Sequence, residues 1–216
     1  MVSLAKIAER EKVLEIGTGK GVLTRELCRV ASEVEGYEVD GDNFRATRLA
    51  AGSRRLRLHL ADAFQAEPRF DVLVSSLPYS KSSIFIEWIS KVTYRRAVVL
   101  LQEDFVRKVV SSPGERDYRA VSAIAQCSSA VEVRERVPRS AFSPQPRVGS
   151  ALVSIRPRLR LSDEQIKRIK RLFALRRKTV AAALGGRAPN LGEDLRRRRV
   201  YTLTPAEILE LVAEMH

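Results

Sequence analysis

Three short stretches of this chain set chemically capable side chains at the ends of apolar runs. The first is Glu15-Ile16-Gly17-Thr18-Gly19-Lys20-Gly21, directly after Lys12-Val-Leu-Glu-Ile16, which reads as a buried strand. Glycines there let the backbone turn tightly and approach a ligand without Cβ interference, at the carboxyl end of a sheet where ligands bind. Such a turn serves a nicotinamide dinucleotide, S-adenosylmethionine, or nothing beyond a strand-to-helix connection. The G-x-G-x-G spacing and the preceding acid, Glu15, favour S-adenosylmethionine. Glu38 ends the second strand, where a carboxylate can accept both ribose hydroxyls. Asp62, in Ala61-Asp62-Ala63 after the third strand, can accept from an adenine amino group. Each acid alone reads equally as a surface charge or a helix cap; in this order they read as a ligand set.

The second stretch is Ser75-Ser76-Leu77-Pro78-Tyr79, after the fourth strand. Methylating an exocyclic amine calls for acceptors that hold the NH₂ and aim its lone pair. It also calls for an aromatic face to stack a base that has left its helix. The competing reading is a Pro-terminated strand with Tyr79 in the core. The third stretch, Ala141-Phe142-Ser143-Pro144-Gln145-Pro146-Arg147-Val148, lies in a loop between two late strands. Two prolines stiffen it, and Phe142 can face a flipped base opposite Tyr79 or simply be buried in a rigid connector.

These residues need a scaffold, and the pattern supplies one. Strands are predicted at 12–16, 34–39, 56–60, 70–75 and 97–101, alternating with helices over 22–31, from about 41 and over 84–90. That βαβα rhythm predicts a parallel sheet with helices on both faces. Val131 to Val137 and Ala151 to Ile155 are predicted as an antiparallel pair at one end of the sheet. After Ile155 the texture changes to a basic linker, a cap at Ser162-Asp-Glu-Gln165 and helical spacing of Ile166, Ile169, Leu172 and Phe173. Further helices are expected over 179–184 and 205–214. The expected division is a ligand-binding α/β domain over 1–157 and a small basic helical domain over 158–216.

Composition bounds the partners. The 216 residues hold 39 Lys+Arg against 26 Asp+Glu, a net charge of +13. Residues 156–216 carry +8 of that in under a third of the length. An excess of one sign points to a polyanion such as nucleic acid. Arg176, Arg177, Lys178 and the run Arg196-Arg197-Arg198-Arg199 are candidate phosphate contacts. Two cysteines, Cys28 and Cys127, and two histidines support neither a disulfide framework nor a metal site. No apolar run nears the roughly 20 residues of a membrane span, and the first ten residues are no signal peptide. A cytoplasmic, metal-free monomer away from membranes is expected.

Taken together the motifs resemble the small-subunit ribosomal RNA adenine N6-dimethyltransferases, the KsgA-type enzymes. The resemblance is carried by Val13-Leu-Glu-Ile-Gly-Thr-Gly-Lys-Gly21, Leu77-Pro-Tyr79, Leu101-Gln-Glu103, Ser140 to Ser150 and Phe173-Ala-Leu-Arg-Arg-Lys-Thr179. It implies a Rossmann-like class I S-adenosylmethionine-dependent methyltransferase domain over 1–157, with a small helical C-terminal domain over 158–216 that binds RNA or the ribosome. The cofactor would meet Glu15, Gly17, Gly19, Glu38, Asp62 and Ser76. Ser76, Leu77, Pro78 and Tyr79 would form the amine-methylating motif. Tyr79 and Phe142 would hold the adenine, and Arg176, Arg177 and Lys178 would contact RNA. The implied reaction is in-line attack by the amine of two adjacent adenines near the rRNA 3′ end, within immature small subunits.

Two departures stand out. The family usually carries Asn where this chain has Ser76, a position at which the wider set of amine methylases has Asp, Asn or Ser. A weakened hydrogen bond there costs about 1–3 kcal/mol, roughly 10–100-fold in rate. The family's N-terminal segment over the cofactor has no counterpart in Met1 to Glu11, so weak cofactor retention is expected. Both departures also fit an assembly factor that binds immature subunits with little methyl transfer. An oxidoreductase would need a hydride-transfer site that the sequence does not offer.

Overall fold

The structure is a computed structural model and describes residues 1–142, 145–185 and 192–215. Seven strands form one sheet: β1 (Lys12–Ile16), β2 (Glu33–Glu38), β3 (Leu56–Leu60), β4 (Val72–Ser76), β5 (Arg96–Gln102), β6 (Ser129–Val137) and β7 (Ser150–Pro157). Their order is β3-β2-β1-β4-β5-β7-β6. The first five run parallel, and β7 lies antiparallel between β5 and β6. The expected late pair is therefore present at the sheet's end. Order reverses between β1 and β4, so the crevice for a ligand opens at the carboxyl ends of those two strands.

Side-chain alternation divides the core between the two faces. Val13, Val34, Val72, Val74 and Val98 point to one face, with Ala5, Leu27 and Cys28 packed on them. They lie beneath α1 (Val2–Ala5) and α2 (Val22–Val30). Leu14, Leu73, Val99 and Leu101 point to the other, toward Phe85 and Trp88 of α4 (Ser82–Ile89) and Ile124 of α6 (Ala120–Ser128). α3 (Gly41–Ala51) lies against α2. β4 begins two residues later than the pattern predicts, because Phe70 leaves the sheet to stack on Trp88 and Tyr94.

Four helices of the described residues went unpredicted, α1, α5 (Glu103–Val110), α6 and α9 (Glu193–Arg197), whereas α8 (Val180–Leu184) falls where expected. α6 buries Ser122, Ala123, Ile124, Ala125, Cys127 and Ser128 on nearly every side. It is sandwiched between the sheet and the C-terminal helices α7 (Asp163–Ala174) and α10 (Pro205–Glu214). A helix without a wet face has no polar stripe to betray its period. Ile166, Ile169, Leu172 and Phe173 of α7 and Ile208, Leu211 and Val212 of α10 bury into the same cluster as Phe85 and Ile124. Each such side chain contributes about 2–3 kcal/mol on burial. The helices after residue 157 thus share a hydrophobic core with the sheet. Capping boxes at Ser162 with Gln165 and at Thr204 with Glu207 start both helices.

The first eleven residues are tied to the far side of the molecule from the crevice. Arg96, first residue of β5, donates from Nε to the Ala5 carbonyl at 2.6 Å and from Nη2 to the Lys6 carbonyl at 2.7 Å. It also pairs with both carboxylate oxygens of buried Glu11. The Arg96 guanidinium holds the Glu11 carboxyl below its ordinary range despite burial.

Candidate active site

A cleft of about 460 Å³ opens at the switch point between β1 and β4, within the range of small-ligand sites. Its inner wall begins at the glycine turn. Gly17, Gly19 and Gly21 all take left-handed φ, at 73°, 57° and 78°. At Gly21 a Cβ would meet the Thr47 Cα at 2.9 Å, so only glycine lets α3 pack this close. Thr47 in turn pins the turn, donating from Oγ1 to the Gly19 carbonyl at 2.7 Å. The Gly17 amide donates to the Tyr37 carbonyl at 2.8 Å. At Gly17 a Cβ would lie 3.5 Å from the Pro78 ring, which puts the turn against the second motif.

Glu38 completes this wall. Its Oε2 accepts from the Gly19 amide at 2.8 Å, and its Oε1 from the Val39 and Asp40 amides at 2.8 and 3.0 Å. The carboxylate is thus fixed by three backbone donors and keeps lone pairs for a ligand. Asp62 Oδ1 accepts from the Phe64 amide at 2.9 Å, while its Oδ2 faces Lys81 Nζ at 3.9 Å. Val39, Ala63 and Phe64 add apolar surface between the two acids.

The outer wall is built differently. Ser76 is exposed at the last position of β4, opposite Leu100 of β5. Leu77 is buried, and Pro78 and Tyr79 lead into a short 3₁₀ turn, Tyr79–Lys81. Tyr79 is half-buried and lines the cleft rather than the core. Its hydroxyl lies 2.8 Å from the buried Ser150 Oγ, which joins this motif to the start of β7. Phe142 and Pro146 reach the same cleft from the loop before β7. Ser143 and Pro144 of that loop lie outside the described residues.

The structure therefore brings Gly17, Gly19, Glu38, Asp62, Ser76, Leu77, Pro78, Tyr79 and Phe142 to one cavity. It does not bring Glu15 there. On β1, Ile16 faces the cleft, so Glu15 one residue earlier points to the opposite face. Its side chain is 1% exposed. Burial pushes its carboxyl up to about 8, and the nearby Glu38 charge adds to the rise. The neighbouring Thr24 hydroxyl pulls the other way, yet neither its Oγ1 nor Glu15 Oε2 completes a hydrogen bond.

Arg176, Arg177 and Lys178 lie apart from the cleft. They line a shallow depression with Arg119, Ala120 and Phe173, and none of the four cations has a carboxylate partner among the described residues. The lowered pKa of Arg176 follows from its burial and from Arg119 and Arg177 beside it. Contacts distinguish the members of the run 196–199. Arg198 grips Glu207 with both terminal nitrogens and the Thr202 carbonyl, and Arg197 pairs with Glu193. Arg198 is thus held within the fold, whereas Arg197 stays 79% exposed in a surface pair. Reading the sequence also missed Val39, Asn43, Phe64, Lys81 and Pro146 on the cleft wall. Val39 carries a visible signal, an apolar residue at a strand end directly after the candidate acid.

No helix of the described residues is long and apolar enough to cross a membrane, and no group of His, Cys, Asp or Glu among them could hold a metal ion. Residues 1–210 match the family model described as ribosomal RNA adenine dimethylase. A probable ribosomal RNA small subunit methyltransferase A from Thermococcus gammatolerans is 35% identical, with 97% of this chain and 81% of that protein aligned. The protein of that name from Pyrococcus abyssi is 34% identical over 97% and 83%. Among solved structures, a dimethyladenosine transferase from Plasmodium falciparum superposes with a TM-score of 0.83 at 25% identity, covering 99% of this chain and 92% of that one. The 23S rRNA methyltransferase ErmE gives 0.69 at 25% identity, covering 99% and 94%.

Proposed function

As the chain belongs to the ribosomal RNA adenine dimethylase family, we propose that its cleft holds S-adenosylmethionine on the inner wall and an extruded rRNA adenine on the outer one. The protein is an S-adenosylmethionine-dependent rRNA adenine methyltransferase that dimethylates adenine N6. The finer reading concerns its residues and target. Two adjacent adenines near the 3′ end of small-subunit rRNA are the substrate, met in the immature subunit in the cytoplasm by a monomer. The observation that carries this reading is the meeting of Glu38, Asp62, Ser76, Tyr79 and Phe142 in one cavity.

The inner wall fits the cofactor. Gly17 and Gly19 leave open backbone where a Cβ would narrow the crevice, Glu38 presents free lone pairs for a ribose diol, and Asp62 presents Oδ2 for an adenine amine. When bound, S-adenosylmethionine supplies an electrophilic methyl on a sulfonium sulfur.

The outer wall handles the base. Tyr79 and Phe142 offer aromatic faces that replace the stacking lost when the adenine leaves its helix. Ser76 Oγ and the Leu77 carbonyl accept from the exocyclic amine. That amine is a weak nucleophile because its lone pair is delocalised into the ring. Acceptors placed around it favour the pyramidal nitrogen of the transition state over the planar ground state. Leu77, Pro78 and Leu100 keep the surroundings apolar, which strengthens those hydrogen bonds. Arg176, Arg177 and Lys178 of the 158–216 region contact rRNA phosphates away from the chemistry.

Incubation of the protein with unmethylated small subunits and labelled S-adenosylmethionine tests this. Label in N6,N6-dimethyladenosine near the rRNA 3′ end is expected. Tight subunit binding without label would instead support the assembly-factor reading.

A further inference from the structure

The cleft has an electrostatic imbalance that its assigned residues do not resolve. Glu38 and Asp62 both line it, and an RNA that delivers an adenine there must bring its phosphodiesters past two carboxylates. Among the described residues lining the cleft, Lys81 alone is cationic. Its side chain is 41% exposed, and its ammonium stands 3.9 Å from Asp62 Oδ2, too far for a hydrogen bond. Its backbone is set firmly. The Lys81 amide donates to the Pro78 carbonyl at 2.9 Å, and Ser82 Oγ donates to the Tyr79 carbonyl at 3.0 Å, locking the turn that carries both Tyr79 and Lys81.

We infer that Lys81 binds a phosphate adjoining the target adenosine, and so positions the nucleotide whose base stacks on Tyr79. This rests on the reading of the outer wall given above. A base lying on Tyr79 leaves its ribose and phosphates at the cleft mouth, where an ammonium two residues further along the same rigid turn meets them. Lys81 acts as a positioning residue: it fixes where the backbone lies and touches neither the amine nor the methyl donor. The same charge offsets Asp62, so the anionic strand meets a locally neutral rim instead of a repulsive one. An ammonium on a flexible stem suits this task, because it can follow one phosphate through small shifts of the RNA backbone.

The test pairs protein and RNA substitutions on reconstituted, unmethylated small subunits whose rRNA 3′ segment is supplied by ligation of a synthetic oligonucleotide. In one set the phosphate on either side of the target adenosine is replaced by an uncharged methylphosphonate. Lys81→Gln should raise KM for normal subunits about ten-fold, with a smaller change in kcat, and Lys81→Arg should restore most of the loss. One of the two methylphosphonates should cost the wild type the same factor and cost Lys81→Gln nothing more. Multiplying effects at both phosphates, or an unchanged KM in Lys81→Gln, would overturn the assignment. So would a changed S-adenosylmethionine affinity with unchanged KM for subunits, since Lys81 would then act through Asp62. Failure of the wild type to methylate normal subunits would sink the reading of the whole cleft, an outcome distinct from the others.

Discussion

The two walls of the cleft are made by opposite means. The inner wall is backbone: three left-handed glycines, a threonine clasp and a carboxylate held by three amides. The outer wall is side chains on short turns, steadied by the hydroxyl pair between Tyr79 and Ser150 and by the bonds that close the 79–81 turn. The inner wall is pre-organised, so little ordering entropy opposes a small, constant ligand. The outer wall must admit a nucleotide on a large, shaped polymer, and a surface of rotatable aromatic and hydroxyl groups can adjust to it.

This contrast makes graded predictions. The greatest effect should come from Glu38→Ala, which removes an inner-wall acceptor and releases three amides together. S-adenosylmethionine affinity should fall about 100-fold, or about 3 kcal/mol, by calorimetry. Unchanged affinity in a folded variant would remove Glu38 from the site and erase the contrast. Behind the same wall, Glu15 sharpens it. Burial raises its carboxyl from the ordinary 4.5 to about 8, so its stabilising share is complete below about pH 4.5 and is lost as pH rises through 8. Glu15→Gln should flatten the decline in urea stability between pH 5 and 8 by about 3 kcal/mol. An unaltered slope would mean that the Glu15 carboxyl is ionised at neutral pH. The smallest effect belongs to the outer wall. Ser76→Ala should slow single-turnover methylation about ten-fold and leave cofactor affinity alone. Ser76→Asn should match or exceed the wild type, because the longer amide reaches the nitrogen. Equal rates in all three would leave the work to the Leu77 carbonyl and the aromatic pair.

Legibility in the sequence followed the same divide. β1 announces itself through an apolar run ending at Gly17, and β2 and β3 through short alternating runs that stop at Glu38 and just before Asp62, because the ligand residues of a parallel sheet sit at or just past the strand ends. The cap at Ser162 is equally visible, being purely local. What stayed hidden depends on tertiary neighbours. α6 is buried all round, and Arg198 meets Glu207 only after the chain has turned through Val200–Thr202. Glu15 was misplaced for a subtler reason: proximity in a motif suggested the cleft, whereas strand alternation directs it away. Lys81 gave no sign because one lysine in a polar turn is ordinary until its neighbours are acids.

The placement of β7 between β5 and β6 has a consequence for synthesis on the ribosome. β2 through β5 can each pair with a strand already emerged, every new one finding its partner waiting in the growing sheet. β6 cannot, since its only neighbour is β7, which follows it in the chain. Until residues 150–157 have left the exit tunnel, β6 has no register to adopt and α6 lacks the helices that cover its far side. The loop carrying Phe142 and Pro146 hangs between those two strands. Vectorial folding would therefore complete the inner wall early and assemble the outer one late, with the capacity to accept RNA arriving after the capacity to bind cofactor.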